Sequence, residues 1–418
     1  MSKILLAFEN PAYRWMWAAS LTNAFSFMPL IMALGWLLLE ITNSPFIVGL
    51  AIGLGGIASM VFSPFAGVLV DRLNRRTVMI SSQLLMGLPI FIVGILVVFE
   101  SIEVWQLILA SILSGIARAF SNTARSTLTF DIVGRKTIMN AMAGQFISFQ
   151  IAGIIGPLAA GYIMQAYGPG HLLLVISISL FISAICVLPI PNLSTKSTPT
   201  GSIWRNFKAG LEFVLHDNPI RTVMIVLLFT EGLGFACWSM FPVVTRDVLH
   251  AGPVVLGFLS TFRSLGGIIG AITVSAYGDI KSKGWVLIVA DIIFGVFLIF
   301  FAFSSNLVMS LALIMIVGAF GTTVSTLSST LAQTMAPEEM RGRVMGFYGM
   351  TWSIMPLGGM YAGFLAGYIG QDTTGVPIAV AIGGFLIAIF AIGPFFMNRN
   401  VRNLGAILQT HQSESRTF

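Results

Sequence analysis

The chain has 418 residues, 56% of them hydrophobic and only 9% charged, with a mean hydropathy of +0.92. A water-soluble domain of that composition would expose most of its apolar surface, so lipid is the expected solvent. The formal net charge of +6 is spread over short polar breaks and forms no patch, which argues against nucleic acid as a partner and for a role in membrane topology.

A hydrocarbon core about 30 Å thick takes roughly 20 residues of helix to cross. The apolar runs here are unbroken over such lengths and lack the alternation that a barrel strand requires. Open sheets would leave backbone groups unpaired in lipid. Cutting at charged, Pro-rich or Asn/Gly-rich breaks predicts helices near residues 14–39, 46–70, 77–99, 104–127, 139–166, 171–191, 220–245, 254–277, 285–304, 306–332, 344–369 and 376–397. The fold expected is therefore an all-α membrane protein with twelve transmembrane helices. The first run has full spanning length and no Ala-x-Ala cleavage site, so it reads as a retained helix and not as a signal peptide. Cys186 and Cys237 lie inside apolar runs and read as packing residues, not as a disulfide or metal pair.

With the N-terminus in the cytosol, all but three of the 22 lysines and arginines fall in cytosolic breaks, Arg125 and Arg135 included. Only Arg246 is outside, while Arg118 and Arg263 fall within helices. Because basic side chains resist translocation, the asymmetry predicts a multi-pass protein of the inner (plasma) membrane with both termini cytosolic.

The longest polar stretch, Pro189 to Pro219, contains the flexible run Ser194-Thr-Lys-Ser-Thr-Pro-Thr-Gly201. In the same stretch Ile203, Trp204, Phe207, Leu211, Val214 and Leu215 share one helical face opposite Arg205, Lys208 and Glu212, as in a helix lying on the membrane surface. The organisation expected is a six-helix bundle over residues 1–191, a cytosolic linker over 192–219, a second six-helix bundle over 220–397 and a cytosolic tail over 398–418. The halves resemble each other. Asp71 after the second helix answers Asp279 after the eighth, and Gly161-Tyr-Ile163 answers Gly367-Tyr-Ile369 at nearly the same offset. Two such units in one orientation form a transporter plan with its site at mid-membrane between the halves.

The segment Gly67-x-x-x-Asp71-Arg72-x-x-Arg75-Arg76, placed between the second and third helices, resembles the loop motif of the major facilitator superfamily, and the resemblance extends over nearly the whole chain. It implies that Asp71 pairs with an arginine of the fourth helix, near the N-terminus of the eleventh, and holds the cytosolic side shut. A carboxylate beside a helix N-terminus and a guanidinium suits that role. Topological anchoring by the arginines alone is the alternative. The fifth helix carries Gly144, Gly153, Gly156, Pro157 and Gly161 at spacings similar to the glycine–proline motif of antiporters in that superfamily, although Ala152 and Ala160 stand where the motif has glycine. Close helix packing is the competing account. Around Gly115-Ile-Ala-Arg118 and Trp204 to His216 the chain resembles the branch of siderophore exporters and macrolide efflux pumps. Ser111 occupies the place of the fourth-helix arginine of many drug antiporters, and Arg118 is the substitute expected.

An ionisable side chain inside a spanning helix is costly unless it meets a partner or a water-filled cavity, and so marks a site. Glu231 and Arg263 both fall near mid-membrane, where they serve either as a coupling site or as a static ion pair. Asn23 is one of few polar groups at that depth in the first half, with Ser26, Gln145 and Gln150; each bonds a ligand or a neighbouring helix. Asp291 and Arg118, placed less centrally, read as structural. With 33 Phe and 21 Met, a central cavity would be soft and apolar, suiting bulky or amphipathic substrates.

No Gly-x-x-x-x-Gly-Lys-[Ser/Thr] occurs, Gly53-Leu-Gly55-Gly-Ile-Ala58 lies inside an apolar helix with no preceding strand, and His171, His216, His250 and His411 lack metal-ligand spacing. No enzyme activity, cofactor or metal is expected. The combined expectation is a monomeric secondary transporter, coupled to protons, that exports small organic molecules from within a lipid bilayer. Import of a nutrient and substrate sensing without flux are the alternatives.

Overall fold

The computed structural model describes residues 3–192, 211–276, 283–370 and 374–397, and among these the chain is helical without a strand. After a 3-10 segment, Lys3–Glu9, come α1 (Pro11–Thr42), α2 (Pro45–Arg72) and α3 (Arg75–Val98). Asn10, Ser44 and Asn74 precede them, and each side chain accepts a backbone N–H of the first turn. These residues occupy one of the donors that a helix start leaves unpaired.

The next helical stretch is continuous over Val104–Tyr167 apart from Gly134, whose φ of 67° and ψ of 178° break it. Only glycine adopts that conformation without strain, so the break falls there and defines α4 (Val104–Arg135) and α5 (Thr137–Tyr167). Here the structure corrects the expected boundary near residue 127 and the placement of Arg125 in a cytosolic loop. The polar run from Ser121 to Thr129 resembles a loop in composition. In the fold its hydroxyls bond back along the helix, Thr123 to Ala119, Thr127 to Thr123 and Thr129 to Arg125 at 3.0, 2.9 and 2.7 Å. Hydroxyls satisfied in that way no longer compete with helix.

Then follow α6 (Pro169–Val187) and α7 (Asn218–Ser239), the latter continued by Phe241–Val243 and a π turn over Val244–Val248. The series ends with α8 (Pro253–Ala276), α9 (Lys283–Ala302), α10 (Leu307–Met335), α11 (Glu338–Ile369) and α12 (Gly375–Met397). By length and composition 11 helices of the described residues can cross a membrane; α11 contributes a shorter apolar part, Ile354–Ile369. Residues 211–216 are helical. The remainder of the expected surface helix, including Ile203 and Lys208, lies outside the described residues, as do Asp279 and the tail.

The chain divides into two compact units, Met1–Pro199 with Ser239–Thr261, and Thr200–Trp238 with Phe262–Phe418. In the first, α2 packs on the α4–α5 stretch, α3 on α6, and α1 on both the α4–α5 stretch and α6. The α2–α4 crossing is close because Gly115 lies against the Gly55 carbonyl, where any Cβ would collide, and the Ser111 hydroxyl donates to the Ala51 carbonyl at 2.7 Å. Without hydrophobic driving force between helices in lipid, such close approach is what holds them. In the second unit α9 packs against α10 and α12, around a core of Val223, Leu287, Val324, Leu331 and Ala391.

Candidate functional site

The loop motif ends α2 and starts α3. Gly67 has open space at its Cβ position, Arg72 is exposed, and the side chain of Asp71 lies outside the described residues. Arg75 forms an ion pair with Asp131 of α4, the two side chains only 11% and 10% exposed. Arg76 donates to the Leu188 carbonyl at the end of α6. The motif therefore ties the start of α3 to α4 and α6. Asp131 escaped the sequence reading because it lies in the stretch taken for a loop.

Arg118 was expected near the cytosolic side, as the fourth-helix partner in that motif. The structure instead places it near the middle of α4, with its guanidinium carbon 4.4 Å from the centroid of the Phe27 ring on α1. Two turns further along α4, the Arg125 Nη2 donates to the Asn23 side-chain oxygen at 2.7 Å. Gln145 of α5 donates to the Thr129 hydroxyl at 2.6 Å. The Nε atoms of Arg118 and Arg125 and the hydroxyls of Ser114 and Ser121 are buried without a hydrogen-bond partner, as is the amide of Gln83 on α3.

The glycines of α5 make close helix contacts. A Cβ at Gly144 would sit 2.5 Å from the Tyr13 hydroxyl, and Trp17 donates to the Gly144 carbonyl at 3.0 Å. Gly153 is buried, and Gly156 meets Phe25 and Pro29 at ordinary contact. At the other end a Cβ on Gly161 would lie 2.7 Å from the Pro253 carbonyl oxygen, and one on Gly257 of α8 would lie 2.6 Å from that of Pro157. The Thr261 hydroxyl donates to the Ile154 carbonyl at 2.8 Å. The outer Arg246 pairs with Asp247 at 2.6 Å and donates to the Leu39 carbonyl at the C-terminal end of α1 at 2.8 Å, the helix end that attracts a cation.

In the second unit Glu231 of α7 lies near the Ser325 hydroxyl of α10 and within electrostatic reach of Arg263 of α8. Arg263 lies over the Trp238 ring, 4.1 Å from its centroid. The ion pairs among the described residues are those of Arg75 and Arg246; Glu231 and Arg263 are coupled through space without forming one. Asp291 of α9, read from sequence as less central, is 1% exposed and accepts from the Thr230 hydroxyl at 2.7 Å, within electrostatic reach of Glu231. Ser325 in turn lies 3.2 Å from the Tyr348 hydroxyl. Two carboxylates and one guanidinium thus lie on three helices, α7, α8 and α9, with Asp291 buried and Glu231 and Arg263 half-buried.

Glycines set this arrangement. Gly318 of α10 abuts the Arg263 carbonyl, and Gly358 of α11 abuts that of Gly232, next to Glu231. Sequence reading passed them over because a glycine in an apolar helix carries no sign of its partner. Nearby in the same unit, Val214, Met224, Leu228, Phe347, Thr351 and Ile354 line an apolar hollow of about 220 Å³. Among the described residues no group of three or more His, Cys, Asp or Glu gathers to hold a metal.

Several known proteins share this architecture. The nucleoside transporter NupG superposes with a TM-score of 0.70 at 14% identity, covering 93% of this chain and 99% of that one. A peptide transporter POT in complex with alafosfalin gives 0.73 at 11%, covering 97% and 99%. In sequence, the multidrug efflux pump Tap of Mycolicibacterium fortuitum is 28% identical over 374 residues, 87% of this chain and 90% of that protein. The enterobactin exporter EntS of Shigella flexneri is 24% identical over 383 residues, 91% and 90%. The profile of one family, described as transmembrane secretion effector, matches residues 3–414. The chain is a multi-pass membrane transporter and not an enzyme, and it belongs to the transmembrane secretion effector family of the major facilitator superfamily.

Proposed function

We propose that this protein is a proton-coupled exporter of small organic molecules, working by alternating access between two six-helix bundles, residues 1–191 and 220–397. It acts as a monomer in the inner membrane with both termini in the cytosol. Export is supported by the names of its relatives, an efflux pump and an exporter. The observation that carries proton coupling is the group of half-buried Glu231 and Arg263 with buried Asp291, each acid within electrostatic reach of the other. With two acids to one base, it changes net charge when a proton binds, and a substrate or water reaching it shifts that balance. Asp71, Arg72, Arg75, Arg76 and Gly67 form the cytosolic gate in this reading, while Gly144, Gly153, Gly156, Pro157 and Gly161 let α5 pack closely.

The test is efflux of a small organic dye, fluorescein or ethidium, from proteoliposomes holding the purified chain, with an imposed pH gradient. Wild type should move the dye when the gradient is set and stop when a protonophore collapses it. Flux that ignores the gradient would remove proton coupling, and no flux of any dye or macrolide tested would remove the export reading.

A further inference from the structure

The face of α4 turned to α1 carries charged groups that proton coupling leaves unused. Arg118 and Arg125 lie seven residues apart, about 10 Å along the helix, on the stripe that also carries Ser114 and Ser121. Their contacts are the Phe27 ring at 4.4 Å and the Asn23 side chain at 2.7 Å. Neither contact neutralises charge. Elsewhere in the same unit arginines near helix ends meet acids, Arg75 with Asp131 and Arg246 with Asp247. The two arginines in the interior of α4 have no carboxylate partner among the described residues. Their Nε atoms and the Ser114 and Ser121 hydroxyls are buried without partners, while both guanidinium groups belong to half-buried residues that keep some accessible surface.

An unpaired guanidinium within a spanning helix is costly, and a neutral side chain would serve Phe27 and Asn23 as well. A guanidinium offers five donors in a planar fork matched to a carboxylate or similar oxyanion. We propose that Arg118 and Arg125, with Ser121 between them, bind the acidic group of the transported molecule, which is therefore an organic anion with a flat apolar body to lie beside Phe27. This rests on the export reading and narrows its substrate class.

Equilibrium binding to the purified full chain, without a gradient, tests it with fluorescein as the anionic probe and ethidium as the cationic one. Fluorescein should bind, and Arg118→Gln and Arg125→Gln should each weaken it at least about tenfold, the worth of a charge-assisted hydrogen bond. The lysine variants should keep most of the affinity, and ethidium binding should stay within about twofold, as for a ligand that does not use these donors. Unchanged fluorescein binding in both glutamine variants would overturn the assignment. A measurement on the unaltered protein covers the case in which those variants do not fold. Fluorescein should raise the melting temperature, as any native-state ligand does, and a rise with ethidium alone would equally overturn it. Because no gradient is involved, ethidium export without anion binding sinks this inference alone, whereas anion binding without flux sinks the export reading alone.

Discussion

The two units carry their buried charge in opposite ways. On the α1–α4 face two arginines stand without an acid, held by a ring and an amide. Across α7 to α10 two carboxylates lie within electrostatic reach of each other, Asp291 accepting from the Thr230 hydroxyl and Glu231 lying near Ser325 and the charge of Arg263. A cluster of one sign attracts a ligand of the other, while a mixed cluster near balance responds to a single proton. The contrast suggests a division of labour between substrate recognition and coupling within one transporter.

The sharpest way to break that division is Glu231→Gln, which should abolish efflux driven by a pH gradient while fluorescein binding persists, since glutamine keeps the size and hydrogen-bonding capacity but not the titration. Combining it with Arg263→Gln separates coupling from charge balance, because a merely structural acid is rescued when its partner is removed too. Full gradient-driven flux in the double variant would assign the cluster to structure.

Next in size is the cytosolic gate. Asp71→Asn should cut transport strongly with normal membrane insertion, scored by flux per inserted protein, and Asp279→Asn should cost less because its segment is a degraded copy of the motif. Wild-type flux in Asp71→Asn would remove the gating role. A stability effect follows for the neighbouring pair. Asp131→Asn leaves the nearly buried Arg75 without its acid and should cost about 3 kcal/mol, seen as a lower melting temperature. Smallest is Thr230→Val, which takes one hydrogen bond from Asp291. It should lower stability by about 1 kcal/mol and alter the pH profile of transport without abolishing flux.

Much of the fold is legible because hydropathy along a membrane helix is local. The apolar runs and the charges that interrupt them follow from residues within a turn or two. The α4 boundary was not legible, because hydroxyl-rich helix and loop have the same composition until the back-bonds of Thr123, Thr127 and Thr129 are seen. That misreading hid Asp131. Glu231 and Arg263 could be singled out by depth alone, since charge in an apolar run is conspicuous, but nothing in their spacing shows that Arg263 rests on Trp238 or that Glu231 lies near Ser325.

By itself the sequence determined that the chain lives in lipid and crosses it repeatedly as helices, because hydrophobicity acts on short stretches in order. Which charges meet was decided only by tertiary structure. Arg75 finds Asp131, Asp291 reaches Thr230, and Arg118 and Arg125 remain without an acid, because helices far apart in sequence approach where glycines such as Gly115 and Gly318 let their backbones touch.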